Sequence, residues 1–111
     1  MYREGLGLTL FGGFADHQGF DGNMLGLPGA AWHLELTHER AATEHTRPDA
    51  EALIVLYHPD PDDWTAACDR MLAAGFVRVT ANNPYWETCA QTFEDRDGYR
   101  VVLAQQAWGG G

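Results

Sequence analysis

The run DPDDWTAACDRMLAAGFVRVTA, residues 60–81, decides how the rest of the chain is read. Asp60 can cap a helix, Pro61 suits its first position, and Asp62 and Asp63 favour the positive end of its dipole. Trp64, Ala67, Cys68, Met71 and Leu72 recur at helical spacing and form one apolar face. Gly75 stops the helix and Phe76 closes the cap. The pattern then switches to alternation, and FVRVTA reads as a strand.

Working outward, EALIVLY (51–57) precedes the helix, and its continuous apolar character predicts a strand buried on both faces. Downstream, YWETCAQTFEDRDGYRVVLAQQ (85–106) is broken at DRDG, a turn signal between apolar strands. The second half thus reads strand, helix, strand, strand, strand. In the first half, GLTLFGGF, DGNMLGLPG and AWHLELTH read as strands joined by Gly-rich turns, and MYREGLG as the last turn of a helix. The expected organisation is a single α+β domain: a first module over 1–39 that lacks its opening strand and helix, a polar linker over 40–50, and a second βαβββ module over 51–111.

Composition narrows the function. At 111 residues and 45% hydrophobic content the chain can build one core. A net charge of −9 with 7 basic residues argues against nucleic acid as a partner. No apolar run is long enough to span a membrane, and no basic-then-apolar signal layout is present, so a cytoplasmic location is expected. Cys68 and Cys89 are too few for a disulfide framework and read as buried thiols. Serine is absent, which excludes a serine nucleophile.

Candidate chemistry concentrates in HLELTH (33–38). Strand alternation places His33, Glu35 and Thr37 on one face, with Leu34 and Leu36 on the other, toward the helices. His33 and Glu35 are candidate cavity groups, either a proton-handling pair or plain strand polarity, and His38 is expected in solvent. A carboxylate facing an apolar cavity would be desolvated and serve as a general base, with His33 as its partner. Tyr85 and Trp86 in NNPYW either stack on a ligand or cover the sheet edge. His58 reads as a capping or surface group. His17 and Asp21 sit in a Gly-rich hairpin read as a mobile loop over the cavity, His45 in the exposed linker, and WGGG as a flexible tail.

Taken together, YREGLGL, HQGFDGNMLGLPG, HLELTH, NPYW and FEDRDGYRVVL resemble the vicinal oxygen chelate superfamily, which joins glyoxalases, bleomycin-resistance proteins and dioxygenases. Each motif is weak alone, but their order and spacing cover nearly the whole chain. The resemblance implies paired βαβββ modules with curved mixed sheets around a small-molecule cavity. It also implies, in metal-dependent members, ligands at the start and on the last strand of each module. Glu35 matches the first module's carboxylate ligand; Leu53 and Val102 stand where the second module's histidine and glutamate would be, and neither can coordinate. The expectation is therefore no cofactor, with a divalent metal on Glu35 as the alternative.

The expected cavity lining is Leu53, Val55, Tyr57, Phe93 and Val102, joined by Tyr85 and Trp86. The expected function is metal-free binding of a small molecule of the drug-sequestering kind; the alternative is a glyoxalase-like lyase or isomerase, or a dioxygenase-type enzyme, using Glu35 and His33. The module that begins at Met1 would leave a sheet edge open, and a homodimer covering it is expected unless Met1 is a late start of a longer protein.

Overall fold

A computed structural model describes residues 1–42 and 47–107. The expectations for His45 and the terminal WGGG fall outside the described residues. The elements are α1 (Tyr2–Gly5), β1 (Thr9–His17), β2 (Phe20–Gly26), β3 (His33–Glu39), β4 (Leu53–Tyr57), α2 (Pro61–Ala73), β5 (Val77–Val79), β6 (Ala90–Glu94) and β7 (Arg100–Ala104), with a 3-10 turn at Pro84–Glu87. They form two sheets, ordered β1-β2-β3 and β4-β7-β6-β5. All neighbours are antiparallel except β4 and β7, which run parallel in register from Leu53↔Arg100 to Tyr57↔Ala104. The architecture is the α+β arrangement of mixed sheets in repeated βαβββ-like modules.

Local chemistry explains the elements. The Asp60 carboxylate accepts hydrogen bonds from the Asp62 and Asp63 amides at 2.8 and 3.0 Å, which caps α2. At the other end Phe76 N–H donates to Met71 O and Gly75 N–H to Leu72 O, a Schellman closure that needs the left-handed φ of +98° at Gly75. The buried stripe of α2 is Ala67, Cys68 and Met71; Leu72, grouped with it by spacing, is 51% exposed at the stripe's margin. Trp64 Nε1 donates to Leu103 O at 2.8 Å and fastens the helix to the sheet beneath.

The β6–β7 turn is held by the Asp95 carboxylate, which accepts from the Asp97 and Tyr99 amides at 2.8 and 3.0 Å. It accepts a third hydrogen bond, 2.6 Å from the Tyr2 hydroxyl of α1. Burial, then Asp95, pushes the Tyr2 phenol well above its ordinary pKa. The Tyr2 ring also meets Phe76 edge-on at 5.1 Å. A side chain at Gly5 would collide with Phe76 and Met71, so only glycine lets α1 approach the end of α2 this closely. The two halves are thus locked through α1, the short helix of the first half.

Sheet register divides the second module into two packing layers. Phe93 pairs with Val101, and both lie with Leu103, Cys68, Met71 and Phe76 in the core beneath α2. Thr92 pairs with Val102 on the opposite, concave face, where Val102, Ala90 and Ala104 pack against Leu53, Val55, Tyr57 and Trp86. Phe93 is therefore not a cavity residue: adjacent to Thr92 on one strand, it points the other way, under the helix. Nor is β4 buried on both faces. It is an edge strand, and Ile54 remains 37% exposed.

Cys68 is buried, and burial pushes its thiol up to about 11. Cys89, expected to be buried, is exposed, because it lies in the entry to β6 just after the 3-10 turn. One fast equivalent of a thiol reagent such as DTNB is expected at neutral pH, at Cys89, with Cys68 reacting only on unfolding. Two fast equivalents would contradict this packing.

Candidate functional site: the concave face and the seam

On β3 the register places Leu34 opposite the buried Leu25, while Glu35 faces Met24 and His33 faces Gly26. His33 and Glu35 therefore project together from one face, with His33 Nε2 and Glu35 Oε1 3.6 Å apart. Both side chains are about half exposed, at 49% and 47%. The desolvation expected of Glu35 is absent, because its face of the first sheet is open to solvent. Two aromatic rings share that face: Phe14 lies over Gly22 and Phe11 over Gly26, where a Cβ would strike them.

The second sheet contributes an apolar floor. Val102 is fully buried, and Val55, Leu53 and Tyr57 flank it on β4. Trp86, held by the 3-10 turn whose Asn83 cap accepts from Tyr85 N–H at 3.0 Å, covers Ala90 and Ala104. Tyr85 meets the Trp86 ring edge-on at 4.9 Å and is itself exposed. Thr92 lies in the same floor, and its buried hydroxyl has no hydrogen-bond partner among the described residues. At one end, Glu94 sits between two guanidinium groups, Arg100 at 3.1 Å and Arg47 at 3.0 Å.

Between the sheets runs a seam with two adjoining cavities. One, of about 400 Å³, is lined by His33 and Leu34 on β3 and by Ile54, Leu56 and Tyr57 on β4. The other, of about 730 Å³, is lined by Leu34 to Thr37 and by Ala52 to Ile54, with Arg100 at its far side. The predicted site residues thus divide: His33 and Tyr57 border the first cavity, Glu35 and Leu53 the second, and Val55, Val102 and Trp86 the packed floor.

The HQGFDG segment is not a lid. Gln18 and Gly19 form a tight two-residue turn, both with positive φ (52° and 89°), and His17 pairs directly with Phe20. Asp21 accepts from Arg40 at 2.8–3.0 Å and from the Asp16 amide at 2.9 Å, and the Arg40 guanidinium above all holds its carboxyl down at about 2. His38 approaches the same carboxylate at 3.7 Å. This cluster pins the hairpin; the arginine 19 residues from Asp21 is what the sequence reading missed. His58 lies at the α2 entry with its pKa lowered, by burial first and then by Arg70.

The chain matches the YycE-like N-terminal domain over residues 1–37 and the YycE-like C-terminal domain over residues 51–105. It is 39% identical to the Bacillus subtilis protein "Uncharacterized protein YycE" over 103 residues, 93% of this chain and 74% of that one. The chain belongs to the YycE-like family. The crystal structure of Bacillus subtilis YycE, described as of unknown function and as a candidate glyoxalase or fosfomycin resistance protein, superposes with a TM-score of 0.87 at 36% identity, over 99% of this chain and 80% of that one. Glyoxalase I from Zea mays superposes with a TM-score of 0.68 at 25% identity, over 95% of this chain and 40% of that one. Glyoxalase I from Leishmania major shares the fold at 18% identity with a TM-score of 0.67, over 95% of this chain and 73% of that one. The YycE-like chain is thus a small member of the vicinal oxygen chelate superfamily. No helix among its described residues is long and apolar enough to cross a membrane.

Among the described residues no group of three or more His, Cys, Asp or Glu side chains could hold an ion. The Leu53 and Val102 side chains carry no donor atom and pack into the apolar floor.

Proposed function

We propose that this YycE-like chain binds a small organic molecule on its concave face without a metal, in the manner of a drug-sequestering protein. The apolar floor at Leu53 and Val102 carries the reading: two positions where a metal-dependent member needs donors are hydrocarbon here and packed together. A ligand would lay an apolar ring on Val55 and Val102, move or stack on Trp86 and Tyr57, and set its polar groups toward Thr92 and the His33–Glu35 pair. Fluorescence titration with a panel of small amphipathic aromatics, beside elemental analysis of the purified protein, tests this. Quenching of indole emission by at least one compound in metal-free protein is expected. Stoichiometric zinc, nickel or iron would defeat the reading.

One observation favours a second reading, a glyoxalase-like lyase or isomerase, or a dioxygenase-type enzyme: the 3.6 Å approach of His33 to Glu35 on the open face. A carboxylate steadied by an imidazole can take a proton from a substrate carbon. Either way Glu35→Gln is expected to change affinity or turnover more than His38→Ala, by about threefold to tenfold, in keeping with the roughly 1 kcal/mol of one hydrogen bond. Equal and negligible effects in a side-by-side titration would leave HLELTH as strand polarity alone.

A further inference from the structure

We propose that Thr92 determines the specificity of the concave face, and that its hydroxyl selects a neutral, planar ligand with a carbonyl oxygen on its ring system. Strand register assembles the site. Val79 pairs with Thr92, Thr92 with Val102, and Val102 with Val55, so one row of four side chains crosses all four strands on the concave face. Three of the four are valines. Threonine has the shape of valine with one methyl exchanged for a hydroxyl, so Thr92 fills its place in the row as valine would and adds only a polar group. That group gains nothing from the fold. Thr92 is 2% exposed, and among the described residues its Oγ1 is the one buried side-chain nitrogen or oxygen atom without a hydrogen-bond partner. An unpaired buried hydroxyl is unfavourable, and valine would avoid the loss. A ligand atom that pairs with it accounts for its presence.

The rows on either side define the rest of the ligand. On one side Ala104 pairs with Ala90 and with Tyr57, and Trp86 packs over the two small methyl side chains. Trp86 belongs to the 3-10 turn, outside the ladder, so a planar ring can take its place over the alanines without breaking a strand pair. On the other side Arg100 lies 3.1 Å from one oxygen of Glu94 and Arg47 lies 3.0 Å from the other. These charges satisfy one another, and a charged ligand group beside Thr92 would sit in hydrocarbon without a counterion, which selects a neutral ligand. β6 and β7 each have a strand on both sides, so their backbone amides are engaged in the ladder. The Thr92 hydroxyl is then the donor that this part of the floor offers. A ligand carbonyl accepts from it, and conjugation to the ring keeps that oxygen in the plane that replaces Trp86.

The role of Thr92 rests on ligand binding at the concave face, and the two are tested apart. The probes are 2-acetylnaphthalene and 2-ethylnaphthalene, which differ by a carbonyl in place of a methylene. Dissociation constants are measured by NMR titration of the intact protein, following the amides of residues 90–92 and 102–104, and each variant is also melted. The parent is expected to bind the ketone about tenfold more tightly than the hydrocarbon, the effect of one buried hydrogen bond. Thr92→Val should bind both compounds alike, at the strength of the hydrocarbon, and should melt no lower than the parent. Thr92→Ser should keep the preference for the ketone. An undiminished preference in Thr92→Val, with the same floor amides shifting, would overturn the role of Thr92 and leave the concave-face reading standing. A melting temperature of Thr92→Val several degrees below the parent would also overturn it, because the hydroxyl would then serve the fold. If neither compound moved the floor amides of the parent, the concave-face reading would fall and the role of Thr92 with it.

Discussion

Phe93→Ala is expected to lower the unfolding free energy by about 3–5 kcal/mol, the range for deleting a buried aromatic ring without collapse of its site. Phe93 is fully buried, and its neighbours Met71, Cys68, Phe76, Val101 and Leu103 come from α2, the loop after it and β7. Backbone-paired strands on one side and a doubly capped helix on the other leave little freedom to close the void. For a domain of this size the melting temperature should fall by more than roughly 10 °C, at about 4–8 °C per kcal/mol. The sequence reading placed Phe93 in the cavity lining, in which case its loss would weaken a ligand and spare the fold. Calorimetry of the variant decides: a melting temperature within a few degrees of the parent would return Phe93 to the concave face.

The reason Phe93 misled is general to this sheet. β6 reads AQTFE, with polar residues at 91, 92 and 94 and no clean alternation, so the sequence does not show which face its one large apolar residue takes. The layer it joins is set instead by pairing with Val101, and β7 is apolar on both faces, which hides its phase from the sequence. Where a strand carried unequal faces the reading was secure: in β3 the leucines at 34 and 36 separate from His33 and Glu35 without ambiguity. Caps and turns were legible too, because Asp60, Gly75 and the DRDG turn act through local hydrogen bonds. The partners of Asp95 and Asp21 were not, since Tyr2 and Arg40 reach them across the fold. Glu35 shows the remaining limit. Its face followed from spacing, but its exposure depends on what stands opposite, and that is not written in β3.

Val102→Glu is the complementary test, because it introduces a carboxylate where the resemblance to metal-dependent members of the superfamily implies one. Val102 is fully buried among Val55, Ala90 and Ala104, so the new carboxylate would lie in hydrocarbon. An unpaired buried charge costs roughly 3 kcal/mol or more at neutral pH, unless the group protonates instead. Burial raises the folded-state pKa of the new glutamate above the unfolded value of about 4.3. Between those two values the native state binds more protons than the unfolded one, so stability falls as pH rises. The deficit against the parent should therefore be small near pH 4 and complete above the folded pKa, which paired melts at pH 4 and pH 8 would show. Zinc or nickel should not repair the deficit. The nearest sequence-matched donor, Glu35, is on the other sheet and half exposed beside His33, and Leu53 supplies nothing. If one equivalent of metal raised the melting temperature of the variant well beyond its effect on the parent, the concave face would already be assembled for an ion, and the metal-free reading would fail.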